Sequence, residues 1–363
     1  MTAIDDLYQV GTSTWLDDLS RERIATGNLG EVKQAKSIVG VTTNPAIFAT
    51  AMGSGTHYDE QLAELKQAGT TADAAVYAMS VKDVQDACDL FRDTFEATGG
   101  KDGRVSIEVD PRFAADEAKT IAQARELWQL VDRDNLMIKI PATDESLPAV
   151  TAALAEGISV NVTLIFSVER YKQVIDAYKD GIRKAAAAGH DVSRIHSVAS
   201  FFVSRMDTEV DKRLEAIGTD EALALRGKAG IANARLAYAL FEREFGGADV
   251  DKLPANANAQ RPLWASTGVK NPAYPATMYV TELAGPQTVN TMPEKTLDAV
   301  LRDGGVHGDT LTGTEAVSRE TFAALRSVGI DLDDVVAVLE REGVEKFVDA
   351  WQELLDSMTA RLA

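Results

Sequence analysis

The sequence is poor in the residues that build disulfide frameworks and metal sites. It has one cysteine, Cys88, and four histidines in 363 residues. A single cysteine excludes a disulfide within the chain and is typical of a protein from a reducing compartment. The four histidines, His57, His190, His196 and His307, show no metal-ligand spacing. We therefore expect surface or capping roles for them and no bound metal.

Positive charge and long apolar runs are also scarce. The chain has 37 lysines and arginines against 56 aspartates and glutamates, which gives a net charge of −19 and opposes binding to nucleic acid or anionic membrane. No run approaches the roughly 18 apolar residues of a membrane span, and the first residues lack the features of a signal peptide. We expect a soluble cytoplasmic protein, in which an anionic substrate would need a local cluster of basic residues.

Short apolar runs alternate along the chain with segments of helical periodicity. The runs that are typical of strands lie near residues 12–17, 37–42, 104–110, 135–140, 158–165, 196–203, 262–266 and 278–283. Alternation of strand and helix indicates parallel β-α units, and eight strands favour a closed barrel. The sequence therefore predicts an α/β fold, a (β/α)8 TIM barrel, as a single domain over residues 1–363.

The connections between these runs are unequal in length. Residues 44–103 predict more than one helix, including one that begins at the N-cap Thr71 and ends near Thr98, before Gly99 and Gly100. We expect this helix to bury Cys88. Residues 204–250 predict two helices with a break near Gly218. After the last strand, helices are predicted at about 313–327, 331–342 and 344–362, the final one with an apolar stripe from Phe347 to Met358 that packs on the barrel.

One lysine, Lys139, stands in the middle of a strongly apolar run. Strand alternation places Met137 and Lys139 on one face, opposite Leu136, Ile138 and Ile140. A buried ammonium either pairs with a charge or has its pKa lowered toward neutrality, and a neutral lysine attacks a carbonyl to form a Schiff base. The alternative interpretation is a lysine whose stem is buried while its head reaches water.

Other strands carry isolated polar residues on one face as well. The residues concerned are Trp15 and Asp17, Thr42 and Asn44, Ser106, Glu108 and Asp110, Asn161 and Thr163 (opposite Val160, Val162 and Leu164), and Ser200 and Phe202, followed by Arg205. In such a barrel the reactive groups lie at the carboxyl ends of the strands. We therefore predict a site where Lys139 supplies the amine and two carboxylates, Glu108 and Asp17, divide the acid and base roles.

Three of these residues also have structural interpretations. Glu108 could pair with an arginine such as Arg112. Asp17 or its neighbour Asp18 could cap the helix after the strand. Asn44 precedes Pro45 and could cap a helix, a role that is compatible with a place in the site.

At the same positions the chain resembles the transaldolase family in its longer bacterial form. The matching segments are Gly40–Phe48 (GVTTNPAIF), Val105–Asp110 (VSIEVD), Ile138–Thr143 (IKIPAT), Asn161–Ser167 (NVTLIFS) and Ser200–Arg205 (SFFVSR). The resemblance implies a (β/α)8 barrel without metal or organic cofactor. It also implies transfer of a dihydroxyacetone unit from sedoheptulose 7-phosphate or fructose 6-phosphate to glyceraldehyde 3-phosphate or erythrose 4-phosphate, in the non-oxidative pentose phosphate pathway.

The resemblance also implies catalytic roles. Lys139 corresponds to the Schiff-base lysine, and Asp17 to the group that takes the proton from the C4 hydroxyl as the carbon–carbon bond breaks. Glu108 and Thr163 resemble the pair that holds a catalytic water.

The implied binding residues are more numerous. Those for the dihydroxyacetone unit are Asn44 and Asn161 as donors, with Thr42 and Ser200 beside them. For the phosphate they are Arg205 and Ser266. The chain departs from the family at Gly268, where shorter members often have arginine, and Lys270 is the expected replacement, although a lysine offers no bidentate fork.

Two other functions remain open from the sequence. One is an aldolase that acts on fructose 6-phosphate and releases free dihydroxyacetone, but such enzymes have a tyrosine where this chain has Phe202. The other is a non-catalytic barrel that binds sugar phosphates. Monomer and homodimer are both compatible with the sequence.

Overall fold

A closed barrel of parallel strands forms the centre of the computed structural model, which describes residues 2–53, 55–247 and 253–363. Each strand pairs in parallel with its neighbours in chain order, and the last strand pairs with the first. The predicted (β/α)8 barrel is confirmed. The strands are β1 (Thr12–Asp17), β2 (Gly40–Thr42), β3 (Arg104–Glu108), β4 (Leu136–Pro141), β5 (Val160–Ile165), β6 (Ser197–Phe202), β7 (Arg261–Ala265) and β8 (Thr288–Met292).

Helices surround the barrel, and extra helices follow β2 and β6 as predicted. Up to β6 they are α1 (Ala3–Val10), α2 (Arg21–Ala25), α3 (Asn28–Ala35), α4 (Pro45–Gly53), α5 (Asp59–Gln67), α6 (Ala72–Leu90), α7 (Arg92–Ala97), α8 (Glu117–Val131), α9 (Leu147–Ala155) and α10 (Val168–Ala187). The later ones are α11 (Ser204–Ile217), α12 (Asp220–Leu223), α13 (Ala229–Gly246), α14 (Met278–Thr281), α15 (Glu294–Asp303), α16 (Glu315–Ser327) and α17 (Leu332–Leu362). Short 3-10 helices lie at Pro111–Phe113 and Val192–Arg194.

Several helix signals in the sequence are confirmed. The Thr71 hydroxyl accepts a hydrogen bond from the Ala74 backbone and caps α6, in which Cys88 is fully buried. The predicted end near Thr98 is wrong for this helix, because α6 ends at Leu90 and a separate helix, α7, occupies Arg92–Ala97. The break near Gly218 ends α11 with that glycine in the left-handed conformation. The end of the range predicted there, residues 248–250, lies outside the described residues. No helix of the described ranges is both long and apolar enough to cross a bilayer.

The predicted position of the last strand is wrong. Residues 278–283 have the β-branched and aromatic composition of a strand, yet residues 278–281 form the single helical turn α14. The Tyr279 hydroxyl donates to Asp207 on α11 at 2.6 Å, and its carbonyl accepts from Asn290. The strand is instead Thr288–Met292, because those residues pair with both β1 and β7 and so close the barrel. Tertiary pairing outweighs local propensity here.

The predicted faces of β4 are confirmed. Leu136, Ile138 and Ile140 belong to the core between barrel and helices. Met137 belongs to a second cluster, which begins inside the barrel with residues such as Trp15 and continues into residues of α11, α16 and α17. We call this second group the interior cluster.

The predicted face of Leu164 is wrong. The pairing of β5 with β6 shifts register between Val162 and Ile165, and Leu164 has a positive φ of 61°. This bulge turns Leu164 away from Val160 and Val162 and into the interior cluster. Leu164 carries the backbone strain of a non-glycine residue with positive φ.

The C-terminal helix is continuous, so the break predicted near residue 343 is wrong. α17 runs from Leu332 to Leu362 through Gly343. A Cβ at Gly343 would lie 2.9 Å from the Phe166 ring. The glycine therefore permits close packing on the barrel and does not end the helix.

Candidate active site

A pocket of about 250 Å³ opens at the carboxyl ends of the barrel strands. Ten of the twelve site residues predicted from the sequence line it: Asp17, Thr42, Asn44, Lys139, Thr163, Ser200, Phe202, Arg205, Ser266 and Lys270. The two others, Glu108 and Asn161, lie beside them without lining the pocket. The fold therefore brings together residues from seven strands or the segments that follow them.

Lys139 lies on β4 and faces the pocket with 5% of its surface exposed. Its Nζ donates to the Thr43 carbonyl at 2.9 Å and lies 3.2 Å from Glu108 Oε2. The alternative interpretation, in which the head of Lys139 reaches water, is wrong because the whole side chain is buried. A buried amine between a carbonyl and a carboxylate is suited to nucleophilic attack on a substrate carbonyl.

Glu108 comes from the neighbouring strand β3 and is paired with Lys139 in register. Burial raises the pKa of Glu108 to about 7, against the opposing attraction of Lys139. Apart from the ion pair with Lys139, neither Glu108 oxygen nor the Thr163 hydroxyl has a hydrogen-bond partner among the described residues. Arg112 pairs with Asp110 and Asp73, so the structural alternative for Glu108 is wrong. A carboxyl with this pKa can both donate and accept a proton near neutral pH.

Asp17 lies at the end of β1 on the other side of the pocket. Its Oδ1 accepts from the Thr42 hydroxyl at 2.8 Å. Burial raises the pKa of Asp17, and Lys139 and the Thr42 hydrogen bond oppose the shift. The capping alternative is wrong, because Ser20 caps α2 and Asp18 pairs with Arg23.

Asn44 has the capping contact expected from its place before Pro45. Its Oδ1 accepts from the Ile47 backbone at 3.0 Å, at the start of α4. The same residue lines the pocket. The amide nitrogen of Asn44 thus remains available to a ligand while its oxygen holds the helix start.

Asn161 is fully buried beneath the pocket. Its Nδ2 donates to Ser106 at 3.1 Å, and its Oδ1 accepts from Ser200 at 2.7 Å. The structure therefore places Asn161 where it fixes Ser200, which itself lines the pocket.

Basic residues gather at one side of the pocket mouth. Arg205, in the first turn of α11, stacks at 5.0 Å over the Phe202 ring. Its Nη1 is buried without a hydrogen-bond partner among the described residues, and burial lowers the pKa of Arg205. The Ser266 hydroxyl is 2.8 Å from that of Ser204, and Lys270 is exposed at the rim. This side can bind an anion.

Comparison with known proteins agrees with this geometry. The family model described as "Transaldolase/Fructose-6-phosphate aldolase" matches residues 14–358. The chain belongs to this family. It is similar to the "Transaldolase" of Mycolicibacterium smegmatis, with 62% identity over 98% of this chain and 96% of the relative. It is also similar to "Transaldolase 1" of Streptomyces coelicolor, with 59% identity over 99% of this chain and 95% of the relative.

The pocket of this transaldolase-family chain also has lining residues that the sequence did not predict, among them Thr291 of β8 and Lys346, Phe347 and Ala350 of α17. The Thr291 hydroxyl lies 2.6 Å from that of Thr42. Thr291 was not predicted because the last strand was placed at residues 278–283. The segment Thr288–Met292, before Pro293, also contains the β-branched residues that are typical of a strand. The α17 residues have no local signal, since only the docking of the helix brings them to the pocket.

The expectation of surface or capping roles is wrong for one histidine. His196 is buried at the opposite end of the barrel, where burial and the nearby Arg104 and Arg261 lower its pKa to about 3. His57, His190 and His307 are exposed. Within the described ranges, no group of three or more histidine, cysteine, aspartate or glutamate side chains could hold a metal.

Proposed function

We propose that this chain is a transaldolase that moves a dihydroxyacetone unit from a ketose phosphate to an aldose phosphate through a Schiff base at Lys139. The observation that carries the proposal is the buried Lys139 amine, 3.2 Å from Glu108, at the base of a pocket whose mouth holds Arg205. Family membership and the name of the Mycolicibacterium smegmatis relative support it. We propose sedoheptulose 7-phosphate and fructose 6-phosphate as donors, and glyceraldehyde 3-phosphate and erythrose 4-phosphate as acceptors, in the cytoplasm.

The first step is formation of the imine. The Lys139 amine attacks the C2 carbonyl of the donor, and the carbinolamine loses water. Glu108 lies beside Lys139 and Thr163 lines the pocket. Their buried oxygens have no hydrogen-bond partner among the described residues, which supports a bridging water held between them. Through that water Glu108 can deliver the proton for departure of hydroxide and recover it during hydrolysis, since its pKa is about 7.

The second step is cleavage between C3 and C4. Asp17 removes the proton of the C4 hydroxyl, the C3–C4 electron pair moves toward the imine, and the aldose phosphate leaves. The raised pKa of Asp17 suits a general base that must later return the proton to the new C4 hydroxyl. The acceptor aldehyde then takes the C3 electron pair, and the imine is hydrolysed.

The pocket wall favours transfer over release of dihydroxyacetone. Phe202 packs at 5.2 Å on Phe166 and lines the pocket. A phenyl ring cannot hold water by a strong hydrogen bond, whereas the tyrosine of the aldolases can. A dry wall protects the carbanion until an aldehyde arrives.

The experiment that tests this function is borohydride trapping with fructose 6-phosphate, followed by mass spectrometry of peptides. We expect a reduced dihydroxyacetone adduct on the peptide that contains Lys139, and loss of both adduct and turnover in Lys139→Ala. Lys82→Ala, which removes an exposed lysine of α6, is the matched control and should behave like the wild type. An adduct on another lysine, together with an active Lys139→Ala variant, would overturn the mechanism.

A further inference from the structure

The C-terminal helix α17 forms one wall of the pocket. Phe347 is 7% exposed, and the centre of its ring lies 5.5 Å from Lys139 Nζ. The same nitrogen contacts the Thr43 carbonyl and Glu108 on the barrel. The reactive nitrogen therefore has a polar side, formed by the barrel, and an aromatic side, formed by a helix far away in the sequence.

Gly343 sets the distance between this helix and the barrel. Gly343 lies one helical turn before Phe347, so both face the barrel. A Cβ at Gly343 would lie 2.9 Å from Phe166 Cε2 and 3.4 Å from Leu164 Cδ2. Leu164 reaches this place only because of the bulge in β5. Phe166 is fully buried and packs on Phe202 with ring centres 5.2 Å apart, so its ring has little room to yield. We therefore expect a methyl group at residue 343 to displace the helix, and Phe347 with it, away from Lys139.

Phe347 is held from both sides along the helix. Before it, Val335 and Leu339 belong to the interior cluster. After it, Trp351 stacks on Tyr77 of α6 with ring centres 5.1 Å apart, and Leu354 belongs to the core outside the barrel. The aromatic wall is therefore a packed part of the fold, with a defined position over the reacting atoms.

We propose that Phe347 is a specificity-determining residue that keeps the Lys139-bound carbanion available for the acceptor aldehyde and so favours transfer over release. The inference rests on the proposed function. After cleavage, the C3 electron pair has two fates. It can form a bond to the acceptor carbonyl carbon, whose oxygen takes a proton, or it can take a proton itself.

Only the second fate makes the enzyme an aldolase. Protonation at C3 leaves an imine of dihydroxyacetone, and water then adds to the imine carbon to release dihydroxyacetone and the free Lys139 amine. Both the proton and the water must reach the site. The Phe347 ring has no exchangeable proton and occupies one side of the nitrogen, so on that side it supplies no proton and excludes any water beyond the one proposed between Glu108 and Thr163.

The ratio of free dihydroxyacetone to transfer product, measured with fructose 6-phosphate and erythrose 4-phosphate, tests the inference. We expect Phe347→Ala to form the borohydride-trapped adduct and to raise this ratio by on the order of tenfold, because exclusion of water protects the intermediate. Phe347→Leu should raise it less. Gly343→Ala, which keeps the ring but displaces the helix, should shift the ratio in the same direction.

Leu354→Ala is the matched control on the same helix. It removes a buried side chain that does not line the pocket, so it should lower the melting temperature without changing the ratio. Two outcomes would overturn the inference in a wild type that performs transfer. One is an unchanged ratio in both Phe347→Ala and Gly343→Ala, and the other is an equal rise of the ratio in Leu354→Ala. Absence of adduct in the wild type would instead refute the proposed function.

Discussion

The two ends of the barrel both bury charged side chains, but they treat them differently. At the end where the strands begin, Asp102 accepts from Ser13 at 2.8 Å, Trp15 at 3.1 Å and Arg261 at 3.0 Å. At the end where the strands finish, Glu108 lies 3.2 Å from Lys139, yet neither of its oxygens has a hydrogen-bond partner among the described residues. We call these the lower pair, Asp102 and Arg261, and the upper pair, Glu108 and Lys139.

This difference separates the buried charges that stabilise the fold from those that are suited to proton transfer. A buried carboxylate with several donors is held in one position, which supports structure. Glu108 has one neighbouring ammonium, that of Lys139, and a pKa of about 7, so it can change its protonation state and support proton transfer. The lower pair is therefore expected to govern folding, and the upper pair to govern turnover.

The largest effect should come from the carboxyls at the upper end. Glu108→Gln should slow formation and hydrolysis of the imine, whereas Asp17→Asn should permit the imine but block cleavage, so that an adduct accumulates. A general acid or base contributes about 10²- to 10⁴-fold, and we expect losses of this size. Stopped-flow transfer rates and borohydride trapping distinguish the two variants. Near wild-type turnover in either would mean that its carboxyl has a structural role only.

The next effect concerns the lower pair. Arg261→Ala leaves Asp102 buried without its cation, which should lower the free energy of unfolding by about 3–5 kcal/mol. Urea denaturation measures this loss. The turnover of the remaining folded enzyme should stay near the wild-type value, because Arg261 lies at the other end of the barrel. Arg194→Ala, which breaks an exposed pair with Asp134, is the control and should cost little stability. A similar cost in both variants would remove the contrast between the two ends.

A smaller effect is expected at the pocket mouth. Arg205→Ala should raise the Michaelis constant for donor and acceptor by about one to two orders of magnitude, because a lost charge-assisted contact costs about 1.5–3 kcal/mol. Lys270→Ala should have a weaker effect, since its side chain is exposed. Steady-state kinetics with inorganic phosphate as competitor measure both. Unchanged constants in Lys270→Ala would show that this lysine does not replace the missing arginine.

The smallest effect is a pH dependence of stability. Burial raises the pKa of Glu108 from 4.5 to about 7. Within this window of pH the folded state keeps a proton that the unfolded state has lost. The free energy of unfolding should therefore fall as pH rises through the window, by at most about 1.4 kcal/mol per pH unit from this group. Glu108→Gln should remove that part of the slope. Glu60→Gln, at an exposed position, should leave the slope unchanged. Parallel slopes in all three proteins would contradict the pKa shift.

Most of the barrel, and the inward position of Lys139, follow from local patterns in the amino-acid sequence. Alternation along β4 is a local property, because successive side chains point to opposite faces. Lys139 and Met137 therefore had to face inward once Leu136, Ile138 and Ile140 packed outward. The same rule placed Glu108 and Asp17 on the inward faces of their strands.

The remaining parts of the site depend on contacts between segments that are distant in the sequence. Thr291 enters because β8 must pair with both β1 and β7, a requirement that no local pattern expresses. Leu164 turns inward at a bulge, and Phe347 reaches Lys139 across about half the chain because Gly343 lets α17 approach the barrel. These placements depend on packing between segments distant in sequence, whereas the faces of a strand depend on the geometry of the strand alone.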